Sequence, residues 1–95
     1  MLFSPEAYYS KVNLTTLGSQ LTQATERLRR GEYAEDSLDE ALQTTAVMAA
    51  NLRQEARAFA RLTKTEEAKE LVRQAVLVAD SAAQQYAELA PLVWD

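Results

Sequence analysis

Arg53, Arg57 and Arg61 recur every four residues, and Lys64 follows one turn later. On an α-helix this spacing builds a ridge of positive charge. A guanidinium presents a rigid fork of N–H donors that matches a carboxylate or a phosphate, so the ridge suits an acidic partner. It equally suits pairing with acids on a neighbouring helix, such as Glu67 or Glu70. A second group offers contact area. Tyr8, Tyr9 and Val12 point away from the apolar stripe of their own segment, with Leu2 and Phe3 just before them. Tyrosine combines a large apolar body with a polar tip and is enriched at protein interfaces. The pattern predicts either an aromatic patch at one end of the molecule or a widened core face. A third group, Val76, Ala83 and Ala87, lies beside the stripe that a core needs. Such a surplus flank predicts a homodimer packed across a two-fold axis, with deeper burial of that helix as the alternative.

Reagents for catalysis are scarce. The chain has no histidine and no cysteine. It therefore lacks the usual general base near neutral pH, a serine–histidine triad, imidazole and thiolate metal ligands, and disulfides. Gly18 and Gly31 are its only glycines, too far apart for a phosphate-cradling loop. The clusters Asp36, Asp39, Glu40 and Glu66, Glu67, Glu70 fall at expected helix starts, where carboxylates stabilise the positive helix end. Residues 32–36 do not follow the ligand order of a helical calcium loop. No catalytic, cofactor or metal site is expected.

The elements that must position these residues are helices. Seventeen alanines among 95 residues, with two glycines and two prolines, favour helix and leave no regular turn punctuation for a β-fold. Ser4, Pro5 and Glu6 make a start signal for a first helix over about 5–30. Its stripe runs Ala7, Ser10, Leu14, Leu17, Leu21, Ala24 and Leu28, and Gly31 suits a left-handed terminus. Gly18 lies inside this helix and is a candidate for close approach of a neighbour. Ser37 and Glu40 read as a capping box opening a second helix over about 38–62, with the stripe Leu38, Leu42, Thr45, Ala49, Leu52, Ala56 and Phe59. Thr63 and Glu66 read as another, opening a third helix over about 64–90 that Pro91 stops. Its stripe includes Ala68, Val72, Ala75, Ala79, Ala82 and Tyr86.

Short connections make neighbouring helices antiparallel, which predicts an all-α, up-down-up three-helix bundle formed as one domain over residues 1–95. Phe3 is then expected near the hairpin at 62–65, and Trp94 near Tyr33. The N-terminal residues carry no leader pattern and the longest apolar run is too short for a membrane span, so a cytoplasmic protein is expected.

The formal charge of −4 argues against a phosphate-backbone binder. The expected function is a small non-enzymatic module that binds another protein, as an adaptor, inhibitor or assembly subunit, and self-associates. Its candidate contact residues are Phe3, Tyr8, Tyr9, Val12, Arg53, Arg57, Arg61 and Lys64, with Val76, Ala83 and Ala87 for self-association. Two rivals are a nucleic-acid-associated regulator using the arginine ridge and a bundle holding an apolar ligand.

Overall fold

The structure, a computed structural model, describes residues 4–94. Helix α1 spans Pro5–Arg29, α2 spans Leu38–Leu62 and α3 spans Glu66–Val93, with a single 3-10 turn at Glu35–Ser37. All three pairs of helices are in contact, which makes the expected up-down-up bundle. Its long axis is 48 Å against cross-axes of 17 and 16 Å.

The first helix begins and ends as its sequence implies. The Ser4 hydroxyl accepts the Ala7 N–H at 3.1 Å, with Pro5 at the first helical position. At the far end Gly31 takes a φ of 68°. Its N–H donates to the Leu28 carbonyl at 3.1 Å, and the Glu32 N–H donates to the Arg27 carbonyl at 3.0 Å. This reciprocal pair is a Schellman terminus, which needs the left-handed conformation that glycine adopts without a Cβ clash.

Three boundary details differ from expectation. Ser37 precedes α2 but makes no side-chain capping bond, because the 3-10 turn places it at φ −100° and ψ −8°. A serine in that helical conformation does not aim its hydroxyl at the next turn's N–H groups. The cap of α3 is Thr65, not Thr63; its hydroxyl accepts the Ala68 N–H at 3.1 Å. Thr63 is extended and terminates α2 instead. Finally, α3 runs through Pro91 to Val93. The proline removes one N–H in the last turn, and the Trp94 N–H still reaches the Ala90 carbonyl at 2.8 Å.

The core divides into two clusters along the axis. The larger draws Leu14 and Leu21 from α1 and Leu52 and Phe59 from α2 against the alanines of α3, namely Ala68, Ala75, Ala79 and Ala82. Every fully buried residue of α3 is an alanine, so the bulk that fills this cluster comes from the other two helices. The smaller cluster joins Leu28, Ala41 and Leu42, with Tyr33, Leu38, Tyr86, Leu89 and Val93 packed around them. Trp94 lies with its ring 5.9 Å from that of Tyr86, outside this cluster. Val93 is the C-terminal residue that joins Tyr33 there. The polar residues of the interior are satisfied: Thr25 and Thr45 donate to carbonyls one turn back, and Ser10 donates to the Glu55 carboxylate at 2.5 Å. No helix among the described residues is long and apolar enough to cross a membrane.

Candidate docking surface

The Ser10/Glu55 bond links α1 to α2 and marks the level at which the two antiparallel helices meet. That register brings Tyr9 within about one turn of Arg57 along the bundle axis. Tyr8 and Tyr9 are 56% and 68% exposed, and Val12 is 43% exposed, so neither ring widens the core. The two tyrosine rings meet edge to face at 6.1 Å and form one patch. Phe3, expected to extend it, lies outside the described residues.

The arginine ridge does not stay together as a unit. Residues four apart advance by about 40° around a helix, so the line winds across the surface of α2. Arg53 faces α3 and pairs with Asp80 at 3.0 Å. Lys64 donates to the Ala60 carbonyl at 2.7 Å, satisfying an orphan group at the end of α2. The sequence-expected acids are engaged elsewhere: Glu67 with Lys11 at 3.1 Å, and Glu70 with Arg73. Glu66 pairs with Lys69 at 3.1 Å, so each acid of that cluster meets a cation rather than converging on a site.

At the other end of α1, Arg29 meets Glu26 at 2.5 Å, while Arg27 and Arg30 reach Glu32 at 4.0 and 3.4 Å. Arg27 also lies over the Tyr33 ring at 5.6 Å. Of the ten lysines and arginines, all but Arg57 and Arg61 thus meet a carboxylate or a carbonyl among the described residues. Exposed ion pairs add little stability, typically about 0–1 kcal/mol. Their significance here is availability: in an acid-rich chain, Arg57 and Arg61, one turn apart on α2, remain uncommitted among the described residues at the end of the bundle that carries the tyrosine patch.

Arg61, but not Arg57, lines a groove of ≈ 470 Å³ between α1 and α2, which has Asn13, Thr16 and Leu17 on one wall and Asn51, Gln54, Glu55 and Ala58 with Arg61 on the other. Asn13 is one turn on from Tyr9, so the patch and the groove are continuous along α1. The carboxamides of Asn13, Asn51 and Gln54 make no hydrogen bond to other described groups. Sequence reasoning passed over this groove. A signal existed, since asparagine is a poor interior helix residue and both Asn13 and Asn51 sit mid-helix.

Val76, at 39% exposure, shares an exposed flank of α3 with Ala83 and Ala87. Asp80 lies on the same flank, where Arg53 holds it. No protein-family model matches this chain, and neither curated proteins nor solved structures give a significant match.

Proposed function

We propose that this chain is a small non-enzymatic helical module that binds another protein, as an adaptor, inhibitor or assembly subunit in the cytoplasm, and that it self-associates through the Val76, Ala83 and Ala87 flank. The observation that carries the docking reading is the exposed patch of Tyr8, Tyr9 and Val12, with Arg57 and Arg61 free of partners among the described residues at the same end of the bundle. Aromatic side chains and arginine are the residue types that dominate binding energy at protein interfaces. Arg53 and Lys64 make intramolecular contacts, which weakens the rival reading of a four-cation ridge along a nucleic acid. The clefts between helices are open grooves rather than enclosed chambers, which gives an apolar ligand little to enter.

The test is co-purification of the native partner, its identification by mass spectrometry, and titration of that partner by calorimetry. Tyr9→Ala and the double change Arg57→Glu with Arg61→Glu are each expected to weaken binding tenfold or more while circular dichroism shows unchanged helicity. Equal affinity for both variants and the parent chain would remove the assignment.

A further inference from the structure

We infer that two copies of this chain pack antiparallel through the α2/α3 face, about a two-fold axis that crosses the bundle between Ala50 and Arg53 on α2 and between Asp80 and Ala83 on α3. This rests on the self-association reading above and specifies which residues meet and in which direction.

Relief, charge and area carry it. Ala46, Ala50, Arg53 and Arg57 stand on one stripe of α2, at the spacing i, i+4, i+7 and i+11. Val76, Asp80, Ala83 and Ala87 share one stripe of α3 at the same spacing. The Arg53/Asp80 bond puts those two residues level, so the antiparallel run of the helices sets Ala50 beside Ala83, Ala46 beside Ala87 and Arg57 beside Val76. The four exposed alanines form a low half of the face, and the four larger side chains form a high half. A two-fold axis across the bundle seats each high half on the partner's low half. An axis along the bundle sets high on high and leaves a gap between the alanines. Charge selects the same direction. Asp36, Asp39 and Glu40, at the start of α2 and in the turn before it, meet no cation among the described residues. Asp39 extends the α2 stripe seven residues before Ala46. Arg57, near the other end of that stripe, meets no carboxylate among the described residues. Antiparallel packing turns Arg57 of each copy towards the acidic start of the partner's α2, whereas parallel packing brings like ends together. The Arg53/Asp80 pair adds no net charge at the axis, and Lys69 and Arg73 are already matched by Glu66 and Glu70. One side of a bundle 48 Å long and 17 Å across presents about 800 Å², which is what each partner of a standard interface buries.

The chain has no cysteine, so introduced thiols report their neighbours without competition. Under mild oxidation at a concentration where the chain has double mass, Ala50→Cys is expected to link to itself. Ala50 and its copy lie three residues, about 4.5 Å, apart along the bundle in this arrangement, which suits a disulfide. Val76→Cys and Ala87→Cys should link to each other when mixed, and neither to itself. In sedimentation equilibrium at low salt, Arg57→Glu and Asp39→Lys should each weaken the dimer at least fivefold, and an equimolar mixture of the two should recover a mixed dimer. Linkage of Ala50→Cys to Ala83→Cys but not to itself would mean that the copies lie parallel. A double mass with none of these links would place the contact on another face. Either result, or charge variants that associate as tightly as the parent, would overturn this arrangement while sparing self-association. A single-chain mass at every concentration would overturn both and leave the face to a different protein.

Discussion

At the level of single residues, the same amino acid carries opposite consequences at two positions. Gly31 has a φ of 68° and completes the terminus of α1. An L side chain is strained there by about 1–2 kcal/mol, so Gly31→Ala is expected to lower the unfolding free energy by that amount in a urea titration. Gly18 lies inside α1, and a Cβ built on it meets nothing within 4 Å. Alanine there gains helix propensity without a clash, so Gly18→Ala is expected to stabilise by about 1 kcal/mol in the same titration. A destabilised Gly18→Ala would mean that a neighbour approaches where open space is found. Gly31 was legible because a basic turn precedes it and an acidic connection follows. The role of Gly18 was not, since spacing alone does not say which side of a helix its neighbours leave open. The expected close approach is replaced by a groove between α1 and α3 that Gly18 helps to line. Ser10 and Glu55 were hidden for a related reason: 45 residues separate them, and only the antiparallel register makes them partners. The arginine ridge was legible as a pattern, but which of its members stay unpaired depends on where α3 places Asp80.

Helix existence and order followed from apolar periodicity, whereas the termini followed from backbone conformation that motif spacing does not encode. Ser37 with Glu40 and Thr63 with Glu66 have identical spacing to a capping box, and neither serves as one. The bonded cap is Thr65, two residues beyond the expected one. Thr65→Ala is therefore expected to cost about 1 kcal/mol, the usual loss on removing a bonded N-cap hydroxyl. Ser37→Ala should stay within about 0.5 kcal/mol, as for a surface change that breaks no bond. Thermal unfolding of the two variants side by side separates them, and a larger loss for Ser37→Ala would place the functional cap at α2. The extension of α3 through Pro91 has the same lesson. Proline is costly inside a helix because it clashes one turn back and deletes a donor. Here only Leu92 and Val93 follow it, and the apolar contact of Val93 with the smaller cluster rewards continuing.

For the molecule as a whole, the packing leaves α3 asymmetric. It sends only alanines fully into the core, while Leu77 is 61% exposed and Val76 39% exposed. The bundle therefore depends heavily on the bulk that α1 and α2 contribute. Leu52→Ala removes one of the largest fully buried side chains and is expected to cost about 2–5 kcal/mol. Native domains typically hold about 5–15 kcal/mol in total, so this variant should unfold at markedly lower urea concentration. A second consequence concerns association. An exposed flank of small residues allows close approach of another helix, and a two-fold axis would set Val76, Ala83 and Ala87 of one copy on those of the next. The Arg53/Asp80 pair at this flank satisfies a charge that would otherwise be desolvated at the contact. Val76→Glu adds an unpaired carboxylate at the centre of such an interface and changes little on an exposed monomer surface. Sedimentation equilibrium is therefore expected to give twice the chain mass for the parent protein and the single-chain mass for Val76→Glu. Melting temperature should become concentration-dependent for the parent alone. A parent chain of single mass at all concentrations would sink the self-association reading without touching the docking of a partner on the tyrosine patch.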